Sequence, residues 1–241
     1  MSGQLAGQTV VVIGGSSGMG LEVARRARAE DAKVIITARN KDRLHEVGQE
    51  IDAEIAAFDA LDFERLRLFF DELPTPIDHI FVSGSGPSYG PIAEFDFDEG
   101  KRDVDAHLWL HIHIGQIAAT KVRPGGSVLF IGGTGGRRQA VGFSLISAMT
   151  AAGPALTKNL ALEIAPVRVN LIAPGFVDTP LSARLNGDQI EARREELRKG
   201  LPIRRVVGPD DIAALAIHVM VNTAITGATL DIDGGQQLVG I

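Results

Sequence analysis

Short runs rich in valine and isoleucine recur along the chain, separated by stretches in which apolar residues return at helical spacing. Residues 9–13, 33–37, 54–58, 77–82, 127–131, 167–172 and 229–232 predict seven strands. Continuous rather than alternating apolar runs suit strands buried on both faces, as a parallel sheet requires. The intervening stretches, such as 21–30 and 210–221, keep a helical period. This alternation predicts the α/β class: a single doubly wound, Rossmann-type domain spanning residues 1–241, its seven-stranded and mostly parallel sheet flanked by helices. One stretch stands outside the alternation, residues 174–201. Its charged part, 189–199, reads either as a flap over a site or as a plain surface insertion.

Composition narrows this picture. At about 150 residues per domain, 241 residues make fewer than two domains. With 24 basic and 30 acidic side chains the formal charge is −6, which lacks the basic stripe that nucleic-acid binding needs. The densest basic cluster, Arg193-Arg194 with Arg198 and Lys199, is interleaved with Glu191, Glu195 and Glu196 and reads as a solvated helix face. The absence of cysteine excludes disulfides, thiolate nucleophiles and cysteine-based zinc sites. Residues 1–8 show no basic then apolar leader, and no apolar run approaches the roughly 18 residues of a membrane span. A cytoplasmic protein with no membrane partner is expected.

The candidate chemistry begins where the first strand ends, in Gly14-Gly15-Ser16-Ser17-Gly18-Met19-Gly20. Glycines 14, 18 and 20 allow a tight turn, close backbone approach to a pyrophosphate and close helix–strand packing. The helix that follows points its N-terminus at phosphate charge. Further motifs follow in order: Asp59-Ala60 after the third strand, Ser83-Gly84-Ser85-Gly86 after the fourth, and Asn170-Leu171-Ile172-Ala173-Pro174-Gly175-Phe176-Val177-Asp178-Thr179-Pro180 around the sixth. Thr226-Gly227 and Asp231-Ile232-Asp233-Gly234-Gly235 close the series.

The G-x3-G-x-G spacing and this series resemble the short-chain dehydrogenase/reductase family over the whole chain. The resemblance implies that Asp59 and Ala60 lie at the adenine, Ser83, Gly84 and Gly86 beside the adenosine ribose, and Pro174, Gly175, Val177 and Thr179 along the nicotinamide. It places the closing motif at a tetramer interface, so a homotetramer or homodimer acting on a small molecule is expected. The second strand ends Thr37-Ala38-Arg39, without the acid that NAD-preferring relatives place at the ribose 2′-hydroxyl. Arg39 can pair with a 2′-phosphate, and Ser16 and Ser17 add hydroxyl donors, so NADP(H) is favoured over NAD(H).

The family's chemistry uses a Ser, then a Tyr about thirteen residues on, then a Lys four further. Counting back from Leu156-Thr157-Lys158-Asn159-Leu160 puts Gly133, Ile146 and Thr150 at those places. The only tyrosine in the chain is Tyr89, and no lysine lies between Lys121 and Lys158, so no register restores the pattern. Thr134 is the one hydroxyl beside the serine place. His107, in Asp105-Ala106-His107-Leu108, aligns with the family's helix asparagine; it can donate a proton near neutral pH or simply pack at a subunit interface. His111 lies one turn on, while His113 points away, so no metal is expected. Tyr89 and Ser144 are further candidates for touching substrate. Three functions stay open: an NADP(H)-dependent oxidoreductase working on a pre-activated imine, iminium or conjugated substrate; a non-catalytic nucleotide-binding regulator or silent subunit; and a cyclase or lyase.

Overall fold

The computed structural model describes residues 3–240 except Thr75, Ser85 and Arg138. Among the described residues the strands are β1 (Thr9–Ile13), β2 (Lys33–Ala38), β3 (Glu54–Ala57), β4 (Ile77–Val82), β5 (Val122–Ile131), β6 (Arg168–Pro174) and β7 (Thr229–Ile232). They form one sheet in the order β3-β2-β1-β4-β5-β6-β7, with every pairing parallel. The predicted strands are all present. β5 starts five residues earlier than its apolar run, because Val122 pairs with Ile77 ahead of a register shift.

Side-chain alternation along the buried strands splits the core into two layers. Val10 and Val12 of β1 pack with Val34 and Ile36 against α1 (Gly18–Ala29), α2 (Lys41–Ile51) and α9 (Pro209–Val221), contributing Leu21, Val47 and Ile212. Val11 and Ile13 face the other way with Ile80, Val82 and Phe130. That layer is closed by α3 (Phe63–Glu72), α5 (Leu110–Lys121) and α6 (Ser144–Glu163), through Phe70, Ile114 and Leu160. Successive strands step outward from β1 on one side and from β4 on the other. The order therefore reverses between them, and ligand crevices open at the carboxyl ends of strands at such a switch point.

Two features set what reaches that crevice. Helix α4 (Phe97–Val104) runs into α5 through one π turn, Asp105–Trp109. Residues 174–201 form α7 (Pro180–Asn186) and α8 (Ile190–Gly200), which lie between β6 and α9. No helix of the described residues is long and apolar enough to cross a membrane.

Two histidines are built into the core. His79 of β4 sits between Ser127 Oγ and Gln8 Oε1, each 2.8 Å away, and burial pushes it down to about 4. His111 of α5 stacks on Phe130 with ring centroids 4.2 Å apart, and burial pushes it down to about 3. Both stay neutral in the folded protein and protonate below about 6.5 when unfolded. The unfolded chain therefore binds more protons under acid, so this stability is complete above pH 6.5 and is lost as pH falls toward 4 and 3. Each histidine contributes about 1.4 kcal/mol per pH unit within that window. Denaturant unfolding is expected to show a loss of roughly 4 kcal/mol between pH 7 and pH 5, and His111→Phe to remove about half of it. A pH-independent unfolding free energy over this range would contradict the assignment.

Candidate functional site

The glycine turn between β1 and α1 is shaped by backbone contact. Gly14 has φ +85°, and a Cβ there would lie 2.5 Å from the Ser83 carbonyl oxygen. A Cβ on Gly20 would lie 2.2 Å from the Gly14 oxygen. Side chains are thus excluded where the turn folds back on β4 and on its own helix. Ser17 caps α1 in extended conformation without a side-chain bond, and the first turn of the helix carries no acidic residue. Its leading N–H groups are left for a ligand.

A chamber of about 490 Å³ lies over this turn. Gly14, Ser16, Ser17, Gly18, Met19, Arg39, Asp59, Ala60, Ser83, Gly84, Gly86 and Thr179 all line it. Gly20 does not; it is buried, and its part is the close packing just described. Ser85, of the same motif, lies outside the described residues. Three guanidinium groups, from Arg39, Arg102 and Arg184, line the chamber against one carboxylate, Asp59. Arg102 donates to Asp59 Oδ2 at 3.3 Å, while Asp59 Oδ1 accepts from the Leu61 N–H. A cradle closed to side chains, an open helix N-terminus and an excess of cations together fit a dinucleotide polyanion. The residues that would hold it are the glycine turn, Ser16, Ser17, Arg39 and Thr179.

A second chamber, about 430 Å³, adjoins the first and shares Met19, Gly84, Gly86, Thr179 and Leu181 with it. Pro174, Gly175 and Val177 line this one. The three positions counted from the sequence converge on it. A Cβ on Gly133 would lie 3.4 Å from Thr150 Cγ2, and Gly133, Ile146 and Thr150 all line the chamber. Ile146 and Thr150 are buried, at 6% and 8% exposure. The Thr150 hydroxyl donates to the Ile146 carbonyl at 2.7 Å, so its proton is committed within the helix.

Thr134 also lines this chamber, its N–H donating to the Pro174 carbonyl at 3.1 Å. Tyr89 reaches it as half of an aromatic pair with Phe143, centroids 5.1 Å apart. His107 lines it as well. It sits in the π turn with Nδ1 2.9 Å from the Asp103 carbonyl. A carbonyl only accepts, so Nδ1 carries the proton and Nε2 of the neutral ring is the acceptor, 3.9 Å from where a Gly84 Cβ would stand. His111 is buried on Phe130 and His113 stacks on Phe63, so the three histidines of this helix face different surroundings.

Ser144 is not at the site. It is exposed at the first residue of α6, two positions and more than half a turn from Ile146, whose face is the one turned to the chamber. The flap's basic cluster is only partly a solvated face. Arg194 makes a fork to Asp178, with N–O distances of 2.9 and 2.7 Å, and Arg193 lines the second chamber. Arg193 reads from the sequence as part of a solvated face, because a helix rich in arginine and glutamate looks the same whichever face is covered; Arg184, a single arginine on α7, carries no motif that would mark it.

A doubly wound sheet with a glycine turn at its switch point, and a second chamber opening from the first, defines a dinucleotide-type oxidoreductase architecture. A family model described as enoyl-(acyl carrier protein) reductase matches residues 13–237, and the chain belongs to the short-chain dehydrogenase/reductase family. The short-chain dehydrogenase/reductase ATR9 of Stachybotrys chlorohalonatus is 28% identical over 97% of this chain and 98% of its own. The short-chain dehydrogenase/reductase malC of Malbranchea aurantiaca is 25% identical over 97% and 96%. The solved structure of MalC reductase/Diels-Alderase from that organism superposes with a TM-score of 0.89 at 24% identity, covering 98% of both chains. A small-chain dehydrogenase solved in complex with NADPH superposes at 0.82 with 28% identity, over 96% of this chain and 99% of that one.

Proposed function

We propose that this chain is an NADP(H)-dependent oxidoreductase that reduces a small molecule already activated at the reacting carbon, an imine, iminium or conjugated acceptor, in place of a simple ketone. One observation carries the reading: Gly133, Ile146 and Thr150 meet on one wall of the second chamber and offer it no transferable proton.

The bound nucleotide supplies a hydride. The chain's residues decide what can receive it. A ketone oxygen needs a proton as its charge develops, and a positioned donor contributes roughly 10²–10⁴-fold. An iminium carbon needs none, because the π pair returns to nitrogen as the C–H bond forms. Tyr89 and Phe143 line the chamber as a tilted aromatic pair, side chains of the kind that stabilise a cationic acceptor. His107 also lines this chamber, its Nδ1–H donating to the Asp103 carbonyl and its Nε2 left as the ring's other polar atom.

The NADPH complex of a relative 28% identical supports the nucleotide. Arg39 supports its phosphorylated form: it is exposed at the end of β2, lines the first chamber, and among the described residues has no ion pair drawing it elsewhere. Arg39→Gln is therefore expected to weaken NADPH binding by about 10–100-fold, the worth of a charge-assisted bond, while NADH binding changes little. Equal loss for both nucleotides in a fluorescence titration would remove Arg39 from this role.

The reading is tested by offering the NADPH-loaded protein ketones, imines and iminium salts, and weighing the products. Oxidation of NADPH with C=N acceptors and a two-hydrogen mass gain supports it. Tight NADPH binding with no turnover of any acceptor replaces it with a nucleotide-binding regulator or silent subunit.

A further inference from the structure

The geometry points to an acid as the substrate: a small aromatic imine or iminium carrying a carboxylate, held through that carboxylate by Arg193 of the flap. The identity of the reacting group rests on the reading above. The carboxylate is argued from the chamber's own walls.

Among the described residues that line the second chamber, Arg193 is the one lysine or arginine, and no aspartate or glutamate accompanies it. Its side chain is largely covered, at 22% exposure. One terminal nitrogen meets Glu196, one turn along α8 and about half exposed, so that partner lies on the solvent side. A guanidinium carries five N–H donors in a flat fork, and Glu196 engages one nitrogen. A cation lining a chamber without a carboxylate is complemented by an anion brought by the ligand, and a planar fork suits a carboxylate.

Arg193 is also held in place. Its neighbour Arg194 forks onto Asp178, in the loop leaving β6, and so ties α8 to the segment whose next residue, Thr179, lines both chambers. The fixed fork sits on the flap, whereas Gly133, Ile146 and Thr150 form the wall contributed by β5 and α6. A ligand spanning the two is a ring system with its acid set apart from its reacting carbon, and a volume of about 430 Å³ admits one. Tyr89 and Phe143 line the same chamber and offer the ring aromatic partners. A neutral imine would enter as its protonated iminium, taking that proton from water; with the hydride a reduced nucleotide would supply, the π pair would become the nitrogen lone pair, the nucleotide would be oxidised and the carboxylate would be unchanged.

The test uses the NADPH-loaded protein and a panel of 3,4-dihydroisoquinolines, each as the carboxylic acid and as its methyl ester. Binding is read by calorimetry, so that it does not depend on turnover. An acid is expected to bind about 10–100-fold more tightly than its ester. That preference should collapse toward unity in Arg193→Gln and return in part in Arg193→Lys, with NADPH titration confirming that each variant is folded. A panel in which no acid outbinds its ester overturns the proposal, as does a preference that survives Arg193→Gln. Acids that bind selectively through Arg193 but are never reduced would leave the carboxylate site standing and remove the reductase reading alone.

Discussion

In a Gly133→Ser, Ile146→Tyr, Thr150→Lys variant, NADPH-dependent reduction of a simple ketone is expected to rise by about 10²–10⁴-fold over the natural chain, the contribution of a positioned general acid. The structure admits the three side chains. A Cβ on Gly133 would stand 3.4 Å from Thr150 Cγ2, in a residue that is itself replaced, and 3.8 Å from the Pro174 carbonyl oxygen, both ordinary van der Waals distances. Ile146 lines the chamber, so a phenol there extends into open volume, and residue 150 lies one helical turn along the same face. Lysine at that position supplies the cation that lowers a neighbouring phenol's pKa, as the family resemblance implies for this pair. Iminium reduction should gain little, since it needs no proton. The comparison is a ratio of kcat/KM values for one ketone and one iminium salt in the two proteins. Natural protein that already reduces the ketone as fast as the iminium would show that His107 or another group donates the proton. A folded, NADPH-binding graft with no gain would show that the wall is not where the acceptor reacts.

The legibility of this protein in its sequence was uneven for physical reasons. The central strands were readable because strands buried on both faces are largely apolar, as Val10-Val11-Val12-Ile13 is throughout, with buried polar exceptions such as His79 and Asn170 each held by hydrogen bonds. The empty catalytic positions were readable because α6 and β5 are rigid elements of fixed spacing; the 3.4 Å approach between a Gly133 Cβ and Thr150 is that spacing in three dimensions. The flap was readable as charged and helical, but not which of its arginines turned inward. Arg193 and Arg194 differ by one residue, about 100° around the helix, and only the position of α8 against β6 decides that one lines a chamber and the other grips Asp178. The same phase argument misplaced Ser144. His107 was reached through family alignment, but the π turn that presents it leaves no composition signal, because it changes the winding of the backbone and not the residues it needs.

The largest expected effect on stability comes from a residue outside both chambers. Arg168→Met is expected to destabilise the protein by about 3–5 kcal/mol, measured by denaturant unfolding at pH 7. Arg168 opens β6 at 5% exposure, and no carboxylate pairs with it among the described residues. Its guanidinium instead donates to backbone: Nη1 to the carbonyls of Val219, Asn222 and Ile225 at 2.8, 3.2 and 3.1 Å, Nη2 to Met220 at 2.8 Å, and Nε to Gly125 at 3.2 Å. Val219 and Met220 are in the last turn of α9, where carbonyls have no partner within the helix and the dipole is negative. The cation thus satisfies a buried helix end and the loop beyond it, which explains how it stays charged although burial lowers its pKa. Methionine matches the stem but strands those carbonyls away from water, each at about 1–3 kcal/mol. Asn170, two residues along β6, bonds the same Ile225 carbonyl and the Ala228 N–H, so the loss should spread to the β6–β7 edge beside the second chamber. Arg168→Lys should recover only part of the stability, because one ammonium cannot reach five carbonyls arranged around a fork. A Lys variant as stable as the natural chain would show that charge alone, without the fork, holds this corner together.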